Sequence, residues 1–442
     1  MAMAGLFNLR QLRRWRVHSR RWRRRAIFML GGLATGAAAV MLTLGADGVQ
    51  HLFREYLKLF PYGAFVATPL GFAAAVWLVQ RVFPNTQGSG IPQAMVARAL
   101  ENPADRIPYV GPRVAVGKIL LTLLGLLVGA SAGREGPTVQ VGASVMAWIG
   151  GFSPRRQPGL ILAGAAAGVA AAFNTPLAGI VFGIEEMSRS FEVRTSGLII
   201  GAVILAGLIA QALLGDYTYF GTANTSLGFG LDWVAVPVCG VLGGFLGGVF
   251  GRILVAFADG MPGRIGAEIA RHPALFAALC GLAVAACGYA SGGATFGTGY
   301  LNARGALHGT QALPADFMPL KFLATVITAI SGIPGGIFAP SLSIGAGLGS
   351  EIARFLPAAP TGAIVLLGMV SYFTGVVRAP ITAFVIVSEM AGNHAMLVPL
   401  MTAALIAEAC SRLINRDGVY HALAMRIYDR RNATPPSRVE RA

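Results

Sequence analysis

Apolar residues in this chain gather into long blocks with charges held at their edges. Uncharged windows cover residues 26–46, 59–80, 157–184, 195–215, 233–251, 272–303, 322–350 and 355–377. A membrane-spanning helix needs about 20 such residues, so each window predicts a helix, and the longer ones predict a hairpin or two short helices. One further stretch, 119–154, is equally apolar except that Arg134 and Glu135 stand in its middle, within GREGPTVQ. A charge at the centre of a bilayer costs about 2.5–3.5 kcal/mol on insertion scales, which makes both residues candidates for function. The fold expected is an all-α polytopic membrane protein.

Composition narrows the class. Of 442 residues 55% are hydrophobic, 12% are charged and 59 are glycine, too apolar and glycine-rich for an ordinary soluble enzyme. The net charge of +16 is uneven: nine arginines fall between Arg10 and Arg25, and five more against two acids between Arg426 and Arg441. The positive-inside bias places both termini in the cytoplasm. A nucleic-acid-binding arm is the rival reading of RRWRVHSRRWRRR, but that segment directly precedes a 21-residue apolar window, so topology explains it and no nucleic acid is expected. SRRW faintly resembles a twin-arginine export signal; the window exceeds a signal core and many spans follow, so a retained first helix is expected. Cys239, Cys280, Cys287 and Cys410 show no CxxC spacing and the six histidines form no HExxH, so neither a disulfide framework nor a metal site is expected.

The chain also repeats itself. A shift of 203 superposes the segment beginning at Lys118 on that beginning at Lys321, with eight of 26 positions identical, including Gly133 with Gly336 and Pro137 with Pro340. A shift of 204 then pairs Pro176 with Pro380 and Glu185 with Glu389. Two such halves suggest a transporter-type duplication with its site where they meet. Spacing alone leaves parallel and inverted arrangements open. Glu135 falls opposite Phe338 and Glu186 opposite Met390, so these two carboxylates break the duplication and are the stronger functional candidates.

Three segments share one texture: GSGIPQ at 88–93, GREGPTV at 133–139 and GGIFAPS at 335–341. Glycine followed by proline and apolar residues predicts a helix start. Such a start presents unpaired N–H groups and partial positive charge, which suit an anion, and inside a membrane it is tolerated only where it lines a cavity. Several starts converging on one point would hold an anion without a full countercharge, weakly enough for it to leave again.

GSGIP, GREGPTVQ and GGIFAP in this order, followed by the tyrosine of GVYHALA, closely resemble the CLC family of chloride channels and chloride/proton antiporters. The resemblance reaches nearly from the first apolar segment to Ile427. It implies a CLC-type fold of two inverted-topology repeats with broken helices, and a homodimer with one anion pathway per subunit. By position, Ser89 and Tyr420 would be the side-chain hydroxyls that coordinate the central anion, and Ile337 and Phe338 would add backbone N–H groups. Gly88, Gly90, Gly136, Gly335 and Gly336 would support these turns. Glu135 resembles the gating glutamate, a carboxylate that competes with the anion and moves aside once protonated. Glu186 resembles the internal proton-transfer glutamate, and its neighbour Glu185 a structural or water-organising carboxylate. Arg134 reads as a structural cation, paired or exposed near the outer rim.

The resemblance implies a multi-pass protein of the bacterial inner membrane that exchanges chloride for protons, with a passive voltage- or pH-gated chloride channel of the same fold as the alternative. Serine at position 89 with Tyr420 favours chloride and other small monovalent anions. Membrane lipid is the expected surrounding, and no cofactor is expected beyond the transported chloride and protons. Gln93 and Thr175 depart from the usual family pattern. The expected organisation is a basic cytoplasmic segment 1–25, a transmembrane domain 26–427 with halves at about 26–215 and 230–427, and a short cytoplasmic tail 428–442 without CBS domains.

Overall fold

A computed structural model describes residues 2–151, 154–188, 193–215, 218–228, 230–357 and 359–433; for 2–21, 23, 24, 154, 193–196 and 433 only the backbone is described. The arginine side chains before Arg25 and the tail 434–442 lie outside this description.

Among the described residues the structure is helical throughout. The first half holds α1 (Ala2–Leu59), α2 (Ala64–Arg81), α3 (Ile91–Ala99), α4 (Pro103–Val110), α5 (Pro112–Leu127), α6 (Glu135–Gly150), α7 (Gln157–Phe173), α8 (Pro176–Phe182) and α9 (Val193–Leu214). The second holds α10 (Ala235–Ala258), α11 (Gly263–Arg271), α12 (Pro273–Ala290), α13 (Tyr300–Leu307), α14 (Phe317–Ile330), α15 (Phe338–Phe355), α16 (Thr361–Val377), α17 (Pro380–Ala391), α18 (Leu397–Ile414) and α19 (Val419–Ala433). Seven helical stretches among the described residues are long and apolar enough to cross a membrane, and Gln157–Phe173, Phe317–Ile330, Thr361–Val377 and Pro380–Ala391 are shorter apolar helices.

The long apolar windows break as their length predicts. Window 157–184 becomes α7 and α8, interrupted where Asn174 turns into the left-handed region at φ 56°. Its repeat counterpart breaks between α16 and α17 at Arg378, φ 62°. Windows 272–303 and 322–350 likewise divide, into α12 with α13 and α14 with α15. The first window is longer than its charge pattern suggests: α1 runs on past Asp47 and Arg54 to Leu59, and both charges line a cavity.

Two helices form the hidden centre. Every residue of α16 from Gly362 to Val377 is buried, as are nearly all of α7, and a helix that is apolar on all sides belongs in an interior. Small residues let their neighbours approach. A Cβ placed on Gly345 of α15 would meet the Gly368 carbonyl oxygen of α16 at 2.6 Å, and Gly142 of α6 crowds Gly164 of α7 in the same way. Close backbone approach through small residues replaces the hydrophobic drive that lipid removes.

The halves meet head to head. Gly133 and Gly336, repeat counterparts, exchange two hydrogen bonds of 2.7 Å in an isolated antiparallel bridge. From that bridge α6 and α15 start at matching positions and lead away from the same point. Counterparts that pair antiparallel are related locally by a two-fold axis, as inverted repeats would be.

Candidate functional site

Three turns converge at this bridge. In the first, Gly88 at φ 63° and Gly90 at φ 91° carry the chain through left-handed conformations that a side chain at either position would strain, and α3 begins at Ile91. The Gly88 amide donates to the Ile333 carbonyl at 3.1 Å and the Gly88 carbonyl accepts from Gly335 at 3.0 Å, which ties this turn to the one before α15. Ser89 lies between the two glycines, and its Oγ accepts weakly from the Ile91 amide at 3.3 Å. Beneath the turn the fully buried Lys118 reaches up from α5, donating through Nζ to the carbonyls of Thr86 at 2.8 Å and Gly88 at 2.6 Å.

The second turn starts α6 at Glu135, with Arg134 capping it. Glu135 is wholly buried and neither carboxylate oxygen meets a donor in hydrogen-bonding geometry. Its carboxylate folds back over Gly133, whose missing Cβ would otherwise collide with it and stand 3.4 Å from Ala339 Cβ. The amide of Ala339, in the first turn of α15, lies within its electrostatic reach. Arg134 points elsewhere: it is buried, and its Nη1 donates to Asp47 at 2.5 Å and to the Thr43 carbonyl at 2.9 Å on α1. Of the two sequence readings of Arg134, pairing holds and exposure does not.

The third turn starts α15 at Phe338 with Ile337 as its cap. Both residues are buried, and their amides precede the first intrahelical acceptor, since the first such bond beside them runs from Ser341 N–H to the Ile337 carbonyl at 3.0 Å. Phe338 is packed by Phe173, Phe182, Phe373 and Tyr420, with ring centroids 4.8–6.3 Å away. The Tyr420 hydroxyl is fully buried, faces the Ser89 side chain outside hydrogen-bonding geometry, and has the carboxylates of Glu135 and Glu186 as its electrostatic neighbours. The structure therefore brings Ser89, Glu135, Ile337, Phe338 and Tyr420 to one place, with all but the half-buried Ser89 buried.

Glu186 sits at its other edge, buried in a π-helical turn, Gly183–Ser188, that continues α8. Regular α17 has no such turn, so the repeat departs in backbone as well as sequence where Glu186 replaces the counterpart methionine. Single π turns inside helices commonly mark functional positions. Arg98 of α3 closes the turn by donating to the Met187 carbonyl at 2.9 Å and Ser188 Oγ at 3.1 Å.

Glu185 has a different task. Its carboxylate accepts from the amides of Ile381 at 3.0 Å and Thr382 at 2.6 Å and from the Thr382 hydroxyl at 2.7 Å, capping α17 of the other half. Its counterpart Glu389 reciprocates on α8, accepting from Leu177 at 3.1 Å and Ala178 at 2.7 Å. Each half thus fills the open helix start of the other.

Sequence reasoning missed the counterpart of the first turn. TFGTG at 295–299 repeats TQGSG at 86–90, but at a shift of 209 rather than 203. Lys321 donates to the Thr295 and Gly297 carbonyls at 2.8 and 2.7 Å, as Lys118 does to Thr86 and Gly88, and the Tyr300 amide donates to Thr298 Oγ1 at 3.3 Å, as Ile91 does to Ser89.

The family described as voltage gated chloride channel matches residues 70–412. The chain belongs to that family. Among its relatives, an H(+)/Cl(-) exchange transporter ClcA of Yersinia pseudotuberculosis serotype IB (strain PB1/+) is 31% identical over 427 residues, covering 89% of this chain and 86% of the relative. A protein of the same name from Salmonella gallinarum (strain 287/91 / NCTC 13346) is 28% identical over 443 residues, covering 93% and 90%. Among solved structures, a slow cyanobacterial Cl-/H+ antiporter superposes with a TM-score of 0.77 at 26% identity, covering 92% of this chain and 98% of the other. A CLC-type fluoride/proton antiporter shares the fold alone, with a TM-score of 0.74 at 23% identity, covering 90% and 96%. Membership in the family and the apolar helices make this an integral membrane protein with a CLC fold.

Proposed function

We propose that this protein is a secondary antiporter that exchanges chloride for protons, with Glu135 as gate and Glu186 as inner proton station. The observation that carries the reading is the seat of Glu135: a buried carboxylate without hydrogen bonds, laid against the first turn of α15. A carboxylate in that seat imitates the anion that the helix starts attract, and protonation removes the charge that holds it there. Chloride would lie between the Ser89 and Tyr420 hydroxyls and the amides of Ile337 and Phe338, dehydrated but without a direct countercharge, which lets it leave. Glu186 and Glu135 flank that position, so a proton has an acceptor on either side. The names of the relatives as exchange transporters support the same reading.

The membrane would be the bacterial inner membrane, with both termini on the cytoplasmic side and residues 26–427 as the transport domain. We propose further that two copies associate, each with its own pathway, through the exposed apolar side chains of α8, α9, α17 and α18, such as Leu177, Ile204, Ile381 and Leu405.

The test is proton uptake into liposomes driven only by a chloride gradient, with Glu186→Ala beside the native protein. Uphill proton movement in the native protein alone, with chloride flux in both, is the expected outcome. Chloride flux without proton movement in the native protein makes it a passive channel instead. Light scattering in detergent tests the association: a particle of one 45.9 kDa chain overturns it.

A further inference from the structure

A cavity of about 940 Å³ opens between the end of α1 and the TFGTG turn, with Arg134, the neighbour of Glu135, in its lining. Its charged lining is Arg54, Lys58 and Arg134 against Asp47 alone. The turn repeats the Ser89 turn in detail: a buried lysine on two carbonyls, glycines at φ 67° and 75°, and a hydroxyl between them that accepts from the first amide of the next helix. The environment beneath is repeated too. A Cβ on Gly299 would meet Lys321 Cε at 3.0 Å, as one on Gly90 would meet Lys118 Cε at 3.0 Å.

One difference separates the turns. The Thr298 amide donates to the side-chain oxygen of Gln50, at 3.1 Å, and Gln50 packs directly on Gly297. An amide oxygen therefore stands on the outer turn where an anion would stand on the inner one. Arg134 adds positive charge to the lining: its side chain is 7% exposed, its guanidinium is paired with Asp47 and the Thr43 carbonyl, and its buried Nε is left without a partner.

We propose that this cavity holds a second site for a small monovalent anion, at the Thr298 amide and hydroxyl beside the Arg134 guanidinium, in competition with the Gln50 side chain. The site would load anions at the mouth of the pathway, one step beyond the gate. The proposal rests on reading the Ser89 turn as an anion site, since the outer turn is its structural copy.

Bromide serves as the probe, located by its anomalous signal in crystals of the full-length protein and of Gln50→Ala. Both proteins are expected to show bromide between Ser89 and Tyr420. Gln50→Ala is expected to show a second peak against the Thr298 amide, filling at about tenfold lower bromide than in the native protein, or about 1.4 kcal/mol for the competitor removed. Thr298→Val should lose the outer peak and keep the inner. An empty cavity in Gln50→Ala at saturating bromide, with the inner peak present, overturns this inference and leaves the proposed function standing. An empty inner position overturns the proposed function itself. If Gln50→Ala fails to fold, the native protein at saturating bromide decides: a cavity peak supports the site and its absence overturns it.

Discussion

Replacing Lys118 by methionine should weaken chloride binding by roughly 2 kcal/mol, and the structure supplies the terms. Lys118 is fully buried and donates to the Gly88 carbonyl at 2.6 Å. Ser89 is the next residue, one Cα step of about 3.8 Å along the chain, so an anion on its hydroxyl lies about 7 Å from the ammonium. A pair of unit charges at that distance interacts by about 2.4 kcal/mol at an effective dielectric constant of 20, the ceiling reached when Lys118 carries its full charge. The expected loss is about thirtyfold in Kd. Loosening of the turn itself adds to it, because two charge-assisted hydrogen bonds go as well. Methionine keeps the stem and its packing and removes the charge. Calorimetric titration of chloride into detergent-purified protein gives the number, with an unchanged gel-filtration profile as the control for folding. Lys321→Met, which releases the outer turn, should leave this affinity much closer to native. Native affinity in Lys118→Met, or equal losses in the two variants, would refute the electrostatic role assigned to the inner lysine.

Other expectations follow from the same geometry. Glu135→Gln should keep chloride flux, abolish coupled proton movement and flatten the pH dependence of chloride flux, all read in the liposome assay. Glu389→Gln removes the charge from two backbone hydrogen bonds and should lower thermal stability in detergent by about 1–3 kcal/mol, against no change for the exposed Glu268→Gln. Gly90→Ala forces a side chain into φ 91° and brings its Cβ within 2.7 Å of Gln140 Cβ, so a loss of at least about 2 kcal/mol is expected on chemical denaturation. Asp259, just past α10, is held below the usual carboxylate range chiefly by its hydrogen bonds with Arg426. A depressed carboxyl stabilises the fold above its unfolded value near 3.8 and loses that contribution as pH falls through the lower folded value. The native protein and Asp259→Asn should therefore differ in melting temperature at neutral pH and converge on acidification.

Much of the candidate site's local geometry could be read from the chain because its parts are local. Glycine before proline fixes a helix start within a few residues, and the starts at Ile91, Glu135 and Phe338 lie where GSGIPQ, GREGPTV and GGIFAPS place them. Window length told that the longer windows hold two helices, since about 20 apolar residues suffice to cross once. What stayed hidden depends on distance in sequence. The clasp between Glu185 and Thr382 joins residues 197 positions apart, and no local pattern marks a carboxylate that caps another half's helix. The outer turn stayed hidden because an insertion of six residues shifts its register relative to the Lys118 segment, so no single shift aligns both. Arg134 was ambiguous because its partner, Asp47, lies on α1, which the charge pattern ended too early.

The reciprocal clasps of Glu185 and Glu389 limit how such a molecule can move. Together with the Gly133–Gly336 bridge, the Gly88 bonds to Ile333 and Gly335, and the Ser131 contacts with Thr325 and Thr328, they rivet the two halves along one seam. Swinging one half against the other would break these bonds together, at about 1 kcal/mol or more apiece. Under the proposed exchange, access from the two sides would then alternate through parts as small as a single side chain, with the scaffold standing still. With Glu135 as the proposed gate, such a machine would wear at its moving residue and not at a hinge, so variants that change its speed should cluster around Glu135 and the turns that touch it.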